Sequence, residues 1–226
     1  MSKPEAAPWS FSKFKAFNTC PQQFYNNRVL KLFPQEETDA MRYGTLFHEA
    51  AENYIGKGEE LPMPFQFAKA ALDNLNAISG EKLVEQKMGI TANLDPCDFD
   101  ADDVWWRGIA DLNIINGKVA YSVDYKTGSR KSVAYSDKGQ LELIALAIFT
   151  TYPEVITVKA SLFYVIAPAF IKETYHRSDA STLWVKWIGN FNMMAAAYKN
   201  NVWNTKQSGL CYAHCPVLEC PHNGRG

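Results

Sequence analysis

The stretch that decides the fold is RGIADLNIINGKVAYSVDYKTG, residues 107–128. Apolar and polar residues alternate on both sides of Asn116-Gly117, which predicts two strands joined by a tight hairpin turn. Because side chains alternate between the two faces of a strand, Asp124 and Lys126 must share one face of the second strand. Asp111 lies near the middle of the first strand in otherwise apolar surroundings. The hairpin therefore carries charged residues whose partners have to be found.

The predicted hairpin brings two carboxylates near each other. Antiparallel pairing places Asp124 within about two or three residues of the position that faces Asp111. A buried carboxylate needs a partner or a cation, and Mg²⁺ is typically held by one or two carboxylates together with substrate phosphate. Lys126 would stabilise the charge that develops on the phosphate or orient the attacking water. The alternatives are a structural ion pair between Asp124 and Lys126 and a site for metal-assisted phosphodiester hydrolysis.

The rest of the chain predicts an α/β protein with a mixed central sheet flanked by helices. We expect one domain over residues 1–226, which can be read in three parts. Residues 10–80 form a helical N-terminal part, residues 81–176 form the sheet core that carries the hairpin, and residues 177–226 form a helix followed by a cysteine-bearing tail.

Composition excludes several classes of protein. The formal net charge is −1 over 226 residues, so any nucleic-acid binding must come from a local patch. No apolar run is long enough for a transmembrane helix, and the N-terminus lacks the apolar segment of a signal peptide, so we expect no membrane association and a cytoplasmic location. There the five cysteines are expected to be metal ligands or free thiols rather than disulfides.

Three segments in this order and spacing resemble the RecB-type branch of the PD-(D/E)XK nuclease superfamily: GTLFHEAAE (44–52), the hairpin itself, and QLELIALA (140–147). The resemblance runs from about residue 10 to the C-terminus and implies a restriction-endonuclease-like core. It implies that Mg²⁺ or Mn²⁺ is bound by His48, Asp111, Asp124 and the backbone carbonyl of Tyr125. It also implies that Lys126 is catalytic, that Gln140 helps to position DNA, and that Glu85 occupies an acidic catalytic position.

The cysteines carry a second part of the resemblance. CPQQFY (20–25) resembles a CPRRFYY segment of the same family, whose iron–sulfur members hold a [4Fe–4S] cluster with this cysteine and three near the C-terminus. The corresponding set here is Cys20, Cys211, Cys215 and Cys220. Four thiolates suit an iron–sulfur cluster or Zn²⁺. The C-x3-C-x4-C spacing differs from the common C-x2-C-x5-C form, and His214 and His222 offer Zn²⁺ further ligands, so both metals remain open.

The resemblance implies a metal-dependent DNA nuclease, and we expect an exonuclease that acts at DNA ends in recombination or repair. Its small form is similar to phage or mobile-element enzymes, which would place it in the cytoplasm of a bacterial host. Arg130 and Lys131 form a local basic patch that could contact the DNA backbone. The sequence has no phosphate-binding GxxxxGK[ST] motif, so a helicase or recombinase partner would be a separate chain. The alternatives are a CRISPR-associated nuclease that trims spacer precursors and a non-catalytic subunit that binds DNA ends.

Overall fold

A computed structural model describes residues 5–33, 36–128, 138–166 and 169–225. The basic patch of Arg130 and Lys131 lies outside these residues. The chain divides into two compact units, which we call the terminal unit (residues 1–36 and 185–226) and the catalytic unit (residues 37–184). Within the described ranges, no helix is both long and apolar enough to cross a bilayer.

The catalytic unit is built on one six-stranded sheet. Its strands are β1 (Glu81–Thr91), β2 (Pro96–Cys97), β3 (Val104–Asn116), β4 (Val119–Lys126), β5 (Thr157–Tyr164) and β6 (Ala169–His176). They are ordered β2-β1-β3-β4-β5-β6, and all neighbours are antiparallel except β4 and β5, which are parallel. The predicted α/β fold with a mixed sheet is therefore confirmed.

The central hairpin forms as the sequence predicts. Gly117 has a φ of +55°, which a side chain would make unfavourable in the tight turn between β3 and β4. The ladder that follows pairs Asn116 with Val119 and continues to Leu112 opposite Val123. The turn thus fixes the register of the two strands that carry the charged residues.

Helices cover both faces of the sheet. The chain contains α1 (Phe11–Thr19), α2 (Pro21–Phe24), α3 (Asp39–Glu52), α4 (Lys69–Asn76), α5 (Gly139–Thr151) and α6 (Ala180–Asn200). On one face, Phe47 of α3 and Leu72 of α4 share a buried cluster with Leu112, Val123 and Tyr125 of the hairpin. On the other face, α5 makes the crossover between the parallel strands β4 and β5, and it is apolar and buried through most of its length.

The terminal unit joins the two ends of the chain through aromatic packing. Trp203 stacks on Tyr25, with ring centroids 4.7 Å apart, and meets Tyr198 edge-on at 4.9 Å. The backbone amide of Gln22 donates to the carbonyl of Asn204 at 3.2 Å. The C-terminal tail after α6 is therefore held against α1 and α2 by contacts that need no metal.

Candidate active site

The register of the hairpin places Asp111 and Asp124 just beyond the last pair of residues in the ladder. Leu112 and Val123 form the last pair of the ladder, so the next positions outward are these two aspartates. The Asp111 Oδ2 atom accepts a hydrogen bond of 2.6 Å from the backbone amide of Tyr125. This bond orients the Asp111 carboxylate and leaves its second oxygen for another partner.

The second oxygen of Asp111 belongs to a three-residue cluster. His48 Nδ1 lies 3.4 Å from Asp111 Oδ1 and 3.8 Å from Glu85 Oε1. In the described part of the chain, these three residues form the only group of three or more potential metal ligands with ligand atoms within 4.8 Å of one another. Three elements thus contribute one ligand each: α3, β1 and β3.

Glu85 reaches the cluster through an unusual backbone conformation. Its φ is +46°, in the left-handed region that residues other than glycine, asparagine and aspartate adopt rarely. On either side, Val84 pairs with Leu112 and Gln86 pairs with Ala110. Such conformations persist where the surrounding structure holds them, often at functional sites. The strand pairing around Glu85 holds this one.

The carboxylates hold a proton on His48. Burial lowers the pKa of His48, but hydrogen bonds and charge from Asp111 and Glu85 outweigh it and raise the pKa to about 10. Without metal, the imidazolium is therefore the cation of this cluster at neutral pH. A metal ion bound here has to replace that proton.

A second group of polar side chains surrounds Asp124 on the α5 face of the sheet. The Lys126 ammonium lies 2.5 Å from Asp124 Oδ2 and donates to Gln140 Oε1 at 3.1 Å. The Gln140 side-chain amide donates to Asp124 Oδ1 at 2.5 Å. Each of the three side chains therefore contacts the other two, which fixes the lysine relative to the carboxylate.

The environment of Asp124 disfavours the charged form of its carboxylate. Burial and the negative charge of Asp111 raise the pKa of Asp124 to about 6, while Lys126 and His48 act in the opposite direction. Its side chain is only 12% exposed. A cation near both carboxylates would remove the repulsion between them.

Gly44 brings α3 close to the end of β4. A Cβ atom at this position would lie 3.0 Å from Thr127 Oγ1, so the threonine side chain would have to shift to accept a larger residue. An open cavity of about 620 Å³ lies beside this contact. Its lining residues are Gly44, Thr45, His48, Glu49, Glu52 and Glu85. The candidate ligands are therefore accessible from this side.

A family model of the PD-(D/E)XK nuclease superfamily matches residues 8–220, which includes all of these groups. The chain belongs to this superfamily. A search of the curated proteins finds no match.

Two solved structures are similar to this chain. A candidate exonuclease from Eubacterium rectale is 14% identical, has a TM-score of 0.54, and is matched over 94% of this chain and 89% of its own. The protein SSO0001 is 12% identical, has a TM-score of 0.44, and is matched over 95% of this chain and 86% of its own. At this identity the first similarity establishes the fold, and it agrees with the superfamily assignment.

The structure brings together most of the residues that the sequence singled out. His48, Glu85 and Asp111 form one group, and Asp124, Lys126 and Gln140 form the second. The role of the Tyr125 carbonyl stays a prediction. The sequence did not indicate that the Tyr125 amide orients Asp111 or that α3 has to pass close to Thr127. Neither contact leaves a signal in the local pattern, because each depends on a tertiary approach.

The donor set of the first group suits a divalent cation. Two carboxylates and one imidazole converge, and carboxylates are the ligands that Mg²⁺ and Mn²⁺ prefer. An imidazole ligand is more usual for the softer transition metals than for Mg²⁺. The residues therefore fit a divalent cation.

The cysteines of the terminal unit are arranged differently. All are free thiols, and Cys20, Cys211 and Cys215 are buried while Cys220 is partly exposed. In the ranges that the structure describes, no three of their sulfur atoms lie within 4.8 Å of one another. A tetrahedral Zn²⁺ site with Zn–S bonds of about 2.3 Å would bring all four sulfurs to about 3.8 Å from one another. The donor chemistry thus fits a metal centre, but the spacing is wider than a single Zn²⁺ requires.

Proposed function

We propose that the chain is a metal-dependent deoxyribonuclease, specifically an exonuclease that acts at DNA ends. The observation that carries this proposal is the placement of Asp111 and Asp124 next to the last pair of the hairpin ladder, with a cluster of potential metal ligands at Asp111 and a lysine at Asp124. A structural ion pair would explain Asp124 and Lys126 but not the second carboxylate with its histidine. A hydrolytic site explains all of them.

The two groups have different roles in this proposal. His48, Glu85 and Asp111 would hold the metal together with Asp124, and the metal supplies charge for the phosphate and a more acidic bound water. The Tyr125 amide keeps the Asp111 carboxylate in place. Asp124 and Gln140 hold the Lys126 ammonium, which donates to the phosphate oxygen on which charge develops. Gln140 thus acts by positioning Lys126.

We propose that Mn²⁺ supports the reaction at least as well as Mg²⁺. The reason is the imidazole of His48, which suits Mn²⁺ better than it suits Mg²⁺. A preference for Mg²⁺ that is unchanged in His48→Gln would contradict the assignment of the histidine as a ligand.

The assignment as an exonuclease rests on less specific support. The Eubacterium rectale protein of similar fold is described as a candidate exonuclease. The order of its motifs is similar to that of recombination exonucleases of phages and mobile elements.

The test is digestion of end-labelled linear, nicked and covalently closed circular DNA with Mg²⁺, Mn²⁺ or a chelator. An exonuclease that acts at ends should degrade linear DNA progressively and leave closed circles intact. Cleavage of closed circles would identify an endonuclease instead. Equal digestion in the presence of chelator would contradict metal dependence.

We further propose that Cys20, Cys211, Cys215 and Cys220 hold a [4Fe–4S] cluster. They are supported as ligands by their free thiols and by their common location in the terminal unit. In such a cluster each thiolate binds a different iron, so the sulfurs lie further apart than around one Zn²⁺ ion. Zn²⁺ is the alternative, because four thiolates suit either metal centre.

A further inference from the structure

A groove crosses the sheet of the catalytic unit on the face that is covered by α4. It has a volume of about 530 Å³, within the range of pockets that hold small ligands. Its floor is made by β4, β5 and β6, and one wall is made by Ala71, Asn74 and Leu75 of α4. None of the six side chains that form the two groups of the candidate active site lines it. The groove is therefore a feature that the candidate site does not explain.

The side chains on the floor of the groove are basic, aromatic and polar. Lys159, Ser161, Phe170, Lys172 and Thr174 project from β5 and β6 on one face, because they occupy alternate positions of paired strands. Phe170 is 41% exposed although it is a large apolar residue. Its ring stacks on Phe163 with centroids 4.4 Å apart. An exposed, flat and rigid aromatic surface thus lies at the edge of the sheet.

Two lysines lie over aromatic rings in this groove. The Lys172 ammonium is 5.6 Å from the centroid of Phe170, and the Lys159 ammonium is 5.5 Å from the centroid of Tyr121. Among the described residues, neither ammonium has a carboxylate within salt-bridge distance. The acidic residue at the groove, Glu173, is already bound to Lys138. Within the described ranges, the groove therefore presents two exposed lysines that form no ion pair.

The strand register connects the groove to the candidate active site. Tyr125 is opposite Phe163 on β5, which is opposite Phe170 on β6. Neighbouring strands lie about 4.8 Å apart, so Phe170 is about 10 Å from the Tyr125 position, next to Asp124. The Tyr125 ring in turn contacts that of His48 at 5.8 Å. A strand of a few nucleotides could therefore extend from the groove to the His48 side of the site. It would have to pass the end of β4 to reach Asp124 and Lys126, which project from the opposite face of the sheet.

We propose that this groove binds a single-stranded segment of the DNA substrate. A base stacks on Phe170 in place of the Lys172 side chain, and the two lysines pair with successive phosphates. Aromatic side chains combined with a positively charged groove are the usual means of binding single strands without sequence preference. The proposal rests on the nuclease function proposed above, and it adds that the enzyme holds an unpaired strand.

An apolar peptide is a less suitable occupant. It would leave two lysines without a negative partner in a confined groove, whereas the phosphates of a nucleic acid supply that charge. A free nucleotide would use the same contacts. The experiment distinguishes the two because only a strand depends on length.

The test measures binding of fluorescently labelled oligothymidine to the full chain in EDTA, where no cleavage occurs, over a range of salt concentrations. Lys159→Gln/Lys172→Gln should reduce the slope of log affinity against log salt by about 1.4, since each phosphate contact on a single strand contributes about 0.7. Phe170→Leu keeps an apolar side chain but removes the ring, and it should weaken binding roughly five- to hundredfold without changing that slope.

Lys87→Gln is the matched control. Its ammonium lies 5.6 Å from the ring centroid of Phe99, the same type of contact on a different strand, so its removal should change neither affinity nor slope. Lys172→Arg keeps the positive charge, so its slope of log affinity against log salt should equal that of the wild type. Thermal unfolding of each variant identifies any that fails to fold. Oligomers of six or more nucleotides should bind more tightly than thymidine monophosphate.

The outcomes separate this proposal from the proposed function. Hydrolysis of bis(p-nitrophenyl) phosphate with Mn²⁺ tests the metal site alone, and the groove variants should retain it. If the wild-type chain hydrolyses this ester but the double lysine variant binds oligothymidine with unchanged affinity and slope, the groove is not a DNA site. If the wild-type chain binds oligothymidine through these residues but hydrolyses nothing, the groove stands and the nuclease function is wrong. Equal affinity for the monophosphate and the longer oligomers would indicate a nucleotide site instead.

Discussion

The catalytic unit and the terminal unit both contain groups of potential metal ligands, but only the first brings them close together. His48, Glu85 and Asp111 have ligand atoms within 4.8 Å of one another, whereas no three cysteine sulfurs in the described part of the terminal unit approach so closely. The reason lies in the supporting backbone. Asp111 and Glu85 stand on neighbouring strands, and the strand pairs on either side of Glu85 fix where both residues lie.

The cysteines have no such support. Three of them lie in the tail after α6, where the backbone forms turns and one short 3₁₀ helix (Gly209–Cys211). That segment is held by local bonds, such as those from the Asn223 amide to the carbonyls of Cys215 and Val217. Irregular chain can be drawn into shape by its ligand, whereas a strand ladder presents ligands in advance. The comparison therefore predicts that the carboxylate site exists without its metal and that the cysteine site does not.

The largest expected effect is on catalysis, and it belongs to the catalytic unit alone. Lys126→Ala should lower kcat for DNA cleavage about 10²–10³-fold, because it removes the donor for the charge that develops on the phosphate. Asp111→Asn should have an effect at least as large, because it weakens a metal ligand. The measurement is single-turnover digestion of linear DNA.

Two controls make this result specific. Lys126→Gln keeps a donor near the buried Asp124 carboxylate and should fold even if Lys126→Ala does not. Lys118→Ala removes an exposed lysine from the turn of the same hairpin and should cleave normally. Near-normal turnover of folded Lys126→Gln and Lys126→Ala would mean that the lysine only neutralises Asp124.

A second prediction concerns the proton on His48. Its pKa in the folded, metal-free protein is about 10, above the ordinary value of 6.5, so this proton stabilises the fold below pH 6.5 and the effect is lost as pH rises toward 10. Metal has to displace the proton, so affinity for Mn²⁺ should rise about tenfold for each pH unit between 7 and 9. About one proton should be released for each metal bound.

Calorimetry in two buffers with different ionisation enthalpies measures that proton. His48→Gln should bind Mn²⁺ more weakly and release no proton, while His176→Gln, which changes a histidine outside the site, should behave as wild type. Metal affinity that does not change over this pH range would remove His48 from the ligand set. The carboxylate site would then have one ligand fewer in place before metal binds than the comparison of the two units assumes.

The same contrast explains how much could be predicted from the sequence. The hairpin was predictable because Asn116-Gly117 is a strong local signal and alternation identifies faces. From there, the convergence of Asp111 and Asp124 followed to within two or three residues, and in the structure each aspartate is the next residue after the last pair of the ladder, Leu112 and Val123. The α/β class followed from the order of the patterns. Information that is local in sequence was enough for each of these steps.

Other features depend on contacts that leave no local signal. The left-handed backbone at Glu85 and the close passage of α3 past Thr127 result from tertiary packing. The groove at Phe170 could not be predicted, because from the sequence alone an aromatic residue in a strand is expected to belong to the core. The packing of Trp203, in the tail just after α6, on Tyr25 and Tyr198 likewise joins residues that are far apart in the sequence.

A third prediction, of intermediate size, concerns the terminal unit. Cys20→Ala should remove the bound metal and increase amide hydrogen exchange in residues 11–29 and 208–223 about ten- to hundredfold, because the cross-link between distant parts of the chain is lost. Exchange in β4 should not change. Cys97→Ala removes a thiol from the catalytic unit and should have neither effect.

The metal itself decides between the two candidates for the cysteines. Protein purified without oxygen should be brown, with broad absorbance near about 400 nm, if it carries an iron–sulfur cluster. Colourless protein with stoichiometric Zn²⁺ would support the alternative. If neither metal is present and Cys20→Ala matches the wild type in exchange, the cysteines are ordinary thiols held by the aromatic contacts of Trp203.

The smallest expected effect is a gain in stability in the catalytic unit. The pKa of Asp124 in the folded protein is about 6, above the ordinary value of about 3.9, so the ionised side chain reduces stability progressively between pH 4 and 6 and fully above that. The cost is at most about 3 kcal/mol. Asp124→Asn removes the charge and keeps an amide that can bond with Gln140, so the metal-free variant should unfold about 2–8 °C higher at pH 8.

The pH dependence is the decisive part of this measurement. At pH 4 the wild-type carboxyl is largely protonated, so the two proteins should unfold at nearly the same temperature, and the difference should appear as pH rises to 6. Saturating Mn²⁺ should reverse the order, because only the wild type can use both carboxylates. If the variant is instead less stable at pH 8, the ion pair with Lys126 outweighs burial and repulsion. The two carboxylates would then be stable as charged groups without a cation. The proposed contrast, a preformed metal site in the catalytic unit and none in the terminal unit, would lose this support.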